Sequence, residues 1–173
     1  MTARTSGPIL VALGANLPSE RFGGPRETLE AALAELERRG VRVLRRSRWY
    51  ETAPVPAADQ PWYVNGVAAV ETELGPEALL AVLHAIEAEF GRVRAERNAP
   101  RVLDLDLVAY RALVRPGPDA PILPHPRAAE RAFVLLPLAE VVPGWRHPAC
   151  GETVEALIAR LPADQQIRLA PEG

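Results

Sequence analysis

Leu103-Asp104-Leu105-Asp106-Leu107 is the strongest local chemical signal in the chain. Residues 102–110 read as a strand, and on a strand side chains two apart face the same way. Asp104 and Asp106 therefore share one face, while Leu103, Leu105 and Leu107 enter a core. Two carboxylates about 6–7 Å apart along a strand repel each other, and the arrangement gains if cations sit between them. Hard oxygen ligands with few protein companions suit Mg2+, which keeps waters and takes further ligands from substrate phosphates. Taken alone, an Asp-x-Asp pair is more often the solvated face of an amphipathic strand.

The preceding segment changes that weighting. Arg92, Arg94, Arg97 and Arg101 precede the two aspartates, all within residues 92–106. Guanidinium forks beside metal carboxylates are what a polyphosphate requires: charge neutralisation and a fixed geometry for in-line attack. The competing reading, a solvated loop whose Arg and Asp pair, leaves unexplained why a polar Arg loop adjoins a carboxylate strand. All 20 basic residues are arginine. Without lysine there is no P-loop lysine, no Schiff base and no pyridoxal chemistry. Codon bias also produces a chain rich in Arg, Ala and Pro, so position rather than number singles out a functional arginine. Tyr63 and Asn65 share a face of another strand, residues 62–72. An aromatic platform beside an amide suits a flat, hydrogen-bonding heterocycle, although taken alone Tyr63 and Phe133 are each more often core.

The elements that must position these groups follow from periodicity and punctuation. Residues 9–13 are a buried-strand pattern ending at Gly14. Pro25 opens a helix that Gly40 closes, with Leu29, Leu33 and Leu36 inward. Residues 41–52 read as one long strand bearing Arg45, Arg46 and Arg48, and the prolines of residues 53–61 make a loop. Gly75-Pro76 starts a second helix, with Leu79, Leu83, Ile86 and Phe90 on one stripe and Gly91 at its end. A polar loop over residues 92–100 leads to the aspartate strand. A Pro/Gly stretch covers residues 116–126, and a helical segment over 128–141 is interrupted by Pro137. A last helix spans about residues 153–161, and residues 167–169 add a short strand. The order β-α-β-β-α-β predicts an α+β, ferredoxin-like antiparallel sheet with helices on one face and a C-terminal helical extension, in one domain over residues 1–173.

Composition removes other classes. A net charge of −2 gives no basic footprint for nucleic acid, and the strands lack the aromatic pattern of an RNA-binding sheet. Cys150 is the only cysteine, so no intramolecular disulfide forms, and it reads as structural. With no leader pattern and no long apolar run, a cytoplasmic protein is expected. A monomer is expected, with a dimer as the alternative. A ferredoxin-like regulatory module remains as the non-catalytic alternative, but a regulatory binder needs no paired metal carboxylates.

Several spaced motifs, in register, resemble one family. Tyr50-Glu51-Thr52 and Asp59-Gln60-Pro61-Trp62-Tyr63-Val64-Asn65 are similar to the pterin-binding segment of the 6-hydroxymethyl-7,8-dihydropterin pyrophosphokinases. Gly91-Arg92-Val93-Arg94, then Pro100-Arg101-Val102-Leu103-Asp104-Leu105-Asp106-Leu107, resembles that family's signature. Pro124-His125, Arg131-Ala132-Phe133 and Pro137-Leu138 resemble its downstream ATP and pterin segment, and Gly14-Ala15-Asn16-Leu17 its N-terminal turn. The resemblance implies pyrophosphate transfer from ATP to the pterin alcohol, leaving AMP, in folate biosynthesis.

It also implies roles. Asp104 and Asp106 hold two Mg2+ ions. Tyr63 and Phe133 sandwich the pterin, Asn65 bonds its edge, and Thr52, Ala53 and Val55 line its pocket. His84, Glu87, Leu107 and Ile122 fall at ATP-contacting positions, as do Arg94, Arg101, His125 and Arg131. Arg92 and Arg101 handle phosphate charge in a loop over residues 92–101 that is expected to close on ligand. The departures are Asn98-Ala99 in place of Trp-Gly, Pro126 after His125, Ala53 for a frequent Pro, and His84 where Gln occurs. They touch loop closure and adenine contacts and leave the metal and pterin positions intact.

Overall fold

A computed structural model describes residues 7–19, 21–53, 62–91 and 102–171. The chain runs β1 (Ile9–Ala15), α1 (Pro25–Arg38), β2 (Arg42–Arg46), β3 (Tyr50–Thr52), β4 (Tyr63–Glu71), α2 (Pro76–Glu89) and β5 (Asp104–Tyr110). A 3-10 turn at Ala128–Glu130, α3 (Ala132–Val141), α4 (Val154–Ala159) and β6 (Ile167–Leu169) follow. The six strands form one sheet in the order β5-β1-β4-β3-β6, with β2 also pairing β4, and every pairing is antiparallel. Among the described residues, no helix is long and apolar enough to cross a membrane.

Both helices of the repeated unit start where expected. Pro25 and Pro76 occupy first-turn positions, where a missing N–H costs nothing. Glu27 folds back so that its carboxylate accepts the Gly24 N–H at 3.0 Å. Leu29, Leu36, Leu79, Leu83 and Ile86 are fully buried with the inward residues of β1 and with Leu103, Leu105 and Leu107. Each such side chain contributes about 1.5–3 kcal/mol by leaving water. This cluster forms one layer, on the first face of the sheet.

The second face is covered too. Leu10, Ala12, Val67, Ala69 and Val108 pack against Val134, Leu135, Leu138 and Val141 of α3 and Val154 and Leu157 of α4. The C-terminal extension is therefore a third layer: the ferredoxin-like unit keeps α1 and α2 on one face, and the extension supplies helices for the other. Pro137 does not interrupt α3, which runs through it. The proline removes the donor that would meet the Phe133 carbonyl, and the buried Val134, Leu135 and Leu138 hold the helix regardless. The break in this segment comes instead at Arg131, which is extended at φ −117° and ψ 115°.

The expected strand over residues 41–52 is two strands. Arg46 lies opposite Ala68 and Tyr50 opposite Asn65, so between these pairs the chain uses one more residue than β4 does, and residues 47–49 bulge. The cause is Trp49. Its ring lies against Gly66, where an added Cβ would sit 2.5 Å from Cζ3, and its Nε1 donates to Glu30 Oε2 at 2.9 Å. Trp145 is buried, whereas Cys150 is exposed in a turn rather than structural. Its neighbours there are the polar His147 and Glu152, which leave it no core to enter.

Candidate active site

Antiparallel register carries the site. Asp104 stands opposite Gly14, Gly14 opposite Asn65 and Asn65 opposite Tyr50, one row across four strands. The next row places Asp106 beside Ala12 and Val67. Directly opposed residues share a face, so both aspartates lie on the face that α3 covers, and both are half-buried at the edge of that cover. Gly14 is buried and contributes no side chain between Asp104 and Asn65, whose strands are about 9–10 Å apart.

Asn65 is buried, and its Nδ2 donates to Thr52 Oγ1 at 2.7 Å. An added Cβ on Gly14 would lie 2.8 Å from Asn65 Oδ1, so the amide oxygen occupies the space that glycine vacates. Tyr63 pairs opposite Thr52 at the end of β4 and is half-buried. Phe133 lies on the first turn of α3, packed against the second-face cluster, with the Arg131 guanidinium 5.2 Å from its ring centre. The Tyr50 hydroxyl donates to Glu140 Oε2 at 2.6 Å, and Glu140 Oε1 accepts the Arg48 N–H at 2.7 Å, so the far end of α3 is tied to β3. Burial and the bond to Glu140 push Tyr50 up to about 12, leaving it a neutral donor.

His125 and Arg131 face the aspartates. The His125 N–H donates to the Val108 carbonyl at 2.8 Å, which holds residue 125 on the outer edge of β5. Burial lowers the imidazole's pKa, Asp106 opposes that shift, and Arg131 and Arg127 add to it. The ring is therefore neutral at pH 7, and because Nδ1 accepts the Arg127 N–H at 3.3 Å its proton sits on Nε2. Burial also lowers Arg131, beside Arg127, while Asp106 and Asp104 pull the other way.

The outer edge of β5 gathers more of the expected residues. Glu87 is buried and accepts the Leu105 N–H at 2.8 Å, bracing the strand from α2. Leu107, two residues on, turns its backbone the same way, although its side chain belongs to the first-face core. Ile122 is exposed, next to Leu123, which exchanges backbone hydrogen bonds of 2.9 and 2.7 Å with Arg115. His84 is exposed on α2. Ala53 donates its N–H to the Gln166 carbonyl at 3.2 Å. Val55, Arg92, Arg94 and Arg101, and the loop over residues 92–101, lie outside the described residues.

The donor set suits a magnesium ion. Among the described residues no group of three or more His, Cys, Asp or Glu forms a metal cage. Two half-buried carboxylates on one face are compatible with Mg2+, which takes few protein ligands and completes its shell with water and phosphate. Sequence reasoning passed over the opposition of Gly14 to Asn65, which requires strand register, and over Glu140, which carries no local signal.

Known proteins have similar sequences and folds. The family model for 7,8-dihydro-6-hydroxymethylpterin-pyrophosphokinase (HPPK) matches residues 10–143. The 2-amino-4-hydroxy-6-hydroxymethyldihydropteridine pyrophosphokinase of Pseudomonas aeruginosa is 43% identical over 162 residues, covering 93% of this chain and 96% of that protein. Proteins of the same name from Methylorubrum extorquens and Synechocystis sp. are 45% identical over 122 residues and 39% over 165. The first match covers 70% of this chain and 75% of that protein, the second 94% and 80%. Wild-type Plasmodium falciparum HPPK-DHPS, solved with pteroate, superposes with a TM-score of 0.67 at 13% identity over 87% of this chain. This chain spans 43% of that longer protein, and the likeness there is one of fold.

Proposed function

We propose a detailed reaction on one premise: the chain belongs to the 7,8-dihydro-6-hydroxymethylpterin-pyrophosphokinase family and transfers pyrophosphate to a hydroxymethyldihydropterin in folate biosynthesis. ATP is the donor. The hydroxymethyl oxygen of 6-hydroxymethyl-7,8-dihydropterin attacks the β-phosphorus, the bond from that phosphorus to the α-phosphate oxygen breaks, AMP leaves, and the hydroxyl proton passes to solvent. When bound, two Mg2+ ions held by Asp104 and Asp106 would neutralise phosphate charge and polarise the attacking hydroxyl.

The chain's own residues bind and orient. Tyr63 and Phe133 hold the two faces of the pterin, and Asn65, fixed by Thr52, reads its edge. Ala53 and Val55 complete that pocket. The outward backbone of Leu107, with Ile122 and the α2 residues His84 and Glu87, receives the adenosine end along β5. Arg131 and the Nε2–H of His125 meet the phosphates beside the aspartates, joined by Arg92, Arg94 and Arg101 of the loop that precedes β5. Closure of that loop excludes water from the transferring group. The single sheet shared by both core clusters supports one domain over residues 1–173, working as a monomer on small molecules in the cytoplasm.

One observation supports this reading: the row Asp104–Gly14–Asn65, with Asp106 in the next row, puts two carboxylates and a buried amide on one sheet face. Incubation with ATP, Mg2+ and the pterin alcohol, followed by chromatography, is expected to give AMP and the pterin pyrophosphate in equal amounts. Release of ADP, or no pterin-dependent AMP, would refute the reaction.

A further inference from the structure

The family match ends at residue 143, yet the segment around β6, well beyond it, is bonded to residues next to both walls of the pterin pocket proposed above. Gln165 bridges the roof. Its Nε2 donates to the Glu130 carbonyl at 2.9 Å, and its Oε1 accepts the Ala132 N–H at 2.8 Å. One side-chain amide thus joins the end of the 3-10 turn to the first residue of α3, bracketing Arg131 and leaving Phe133 one residue further on. An α-helix start has N–H groups with no partner of its own, and α3 has no capping side chain at Arg131. Gln165 takes that place from 33 residues away.

The next residues hold the floor. The Gln166 carbonyl accepts the Ala53 N–H at 3.2 Å, and β6 pairs β3 with Ile167 opposite Thr52 and Arg168 opposite Glu51. Thr52 in turn accepts the Asn65 amide. Arg168 Nε donates to Glu51 Oε1 at 2.9 Å, while its guanidinium lies 4.3 Å from the ring centre of Trp62, the neighbour of Tyr63.

We propose that residues 165–168 are a spacer that sets the gap between the Phe133 and Tyr63 walls. Gln165 is a positioning residue for the first wall and Arg168 for the second. The inference rests on the reading of Phe133 and Tyr63 as the pterin walls. Its physical basis is the steepness of stacking attraction: a gap wider by about 0.5–1 Å forfeits a quarter to a half of the contact well. A ring held between two faces therefore depends on whatever fixes their separation. Four consecutive residues, bonded to Glu130 and Ala132 at one end and to Glu51, Thr52 and Ala53 at the other, do so with little slack, because an extended chain has a fixed rise per residue. Neither residue touches the substrate, so the signature is selective: pterin binding changes and nucleotide binding does not.

The test is steady-state kinetics with both substrates, plus melting temperatures, for the full chain and five variants. Gln165→Ala and Arg168→Ala should each raise the pterin KM about five- to tenfold, as expected for loss of one or two positioning hydrogen bonds. The KM for ATP should stay within twofold. Gln165→Glu keeps the acceptor for the Ala132 N–H and places a negative charge at a helix start, and should recover part of the loss. Leu36→Ala, in the buried face of α1 and the other core cluster, lowers stability outside the cluster that Phe133 packs against and should leave the pterin KM unchanged. A rise in the pterin KM of Leu36→Ala equal to that of Gln165→Ala would mean general softening and overturn the proposal. Phe133→Ala separates the two levels of inference. If it raises the pterin KM while the Gln165 and Arg168 variants do not, the spacer is wrong and the pocket stands. If Phe133→Ala has no effect, the pocket reading falls and the spacer with it. Should Gln165→Ala not fold, Arg168→Ala alone decides, since its side chain is 63% exposed and its loss removes no core.

Discussion

Gly14→Ala is the sharpest perturbation of the proposed site because the change is one methyl group. Gly14 sits in the central strand β1, paired on both sides, and its backbone is not in the left-handed region, so alanine adopts the same conformation. On that count alone alanine would stabilise by about 0.4–1 kcal/mol through the unfolded chain. The new Cβ, however, would lie 2.8 Å from Asn65 Oδ1, inside contact distance. A strand bonded to two neighbours cannot yield, so the Asn65 amide must turn and release its 2.7 Å bond to Thr52. A buried amide left unsatisfied costs about 1–3 kcal/mol. The net destabilisation is then about 1–2 kcal/mol, and for a chain of this length Tm falls by about 3–6 °C. The larger effect is on the ligand: an amide aimed away from the pterin edge should lose about 1–3 kcal/mol of binding, roughly 5- to 150-fold in Kd. Asp104, the other neighbour in the row, is not among the nearest atoms to the added methyl, so affinity for an ATP analogue with Mg2+ should stay within twofold. Calorimetry on Gly14→Ala, Asn65→Ala and the double variant checks the chain of cause. If the methyl acts through Asn65, the pterin losses are strongly non-additive, and the double variant binds no worse than Asn65→Ala. Additive losses, or a pterin Kd within twofold of the parent in Gly14→Ala, would refute the reasoning.

Other outcomes follow from the same geometry. Asp104→Asn and Asp106→Asn should each cut turnover by several orders of magnitude with circular dichroism unchanged, because metal-bridged charge stabilisation acts chiefly in the transition state. A chelator should do the same to the parent chain, and activity surviving either treatment would remove the metal assignment. Tyr63→Ala and Phe133→Ala should weaken pterin binding by about 0.5–1.5 kcal/mol beyond lost area and spare the nucleotide; equal losses for both ligands would indicate a folding defect. Glu30 supplies a test by pH. The Arg46 guanidinium holds its carboxyl below the ordinary 4.5 against the opposing effect of burial, helped by the Trp49 N–H. A depressed folded-state pKa contributes stability that is present above the unfolded value and lost as pH falls through the folded one. The urea-midpoint advantage of the parent over Glu30→Gln should therefore be constant above about pH 5 and shrink at more acid pH. A constant difference down to about pH 3 would exclude Glu30 as the source.

What could be read without coordinates was whatever local periodicity maps directly onto space. Alternation along β5 put Leu103, Leu105 and Leu107 into the core and both aspartates on the other face, and the 3.6-residue stripe of α2 buried Leu79, Leu83 and Ile86. What escaped depends on contacts between distant positions. No glycine or proline marks residues 47–49, and the strand breaks there because Trp49 fills the space above Gly66, whose effect is invisible until β3 and β4 are paired. The covering of the second face by α3 and α4 was hidden in the same way, since an apolar helix such as α3 declares only that it is buried and not against which face. The arrangement around Gly14 has the same origin. Gly14 is unremarkable in its own strand, and its missing side chain acquires meaning only because register sets it between Asp104 and Asn65. The proposed site draws on three antiparallel strands, from residues about 40–50 positions apart in sequence. Strand alternation fixes which face each of them occupies, but only pairing brings them into one row. The shared face of the carboxylates could therefore be read from the sequence, whereas the fit of the Asn65 amide over Gly14 beside them could not.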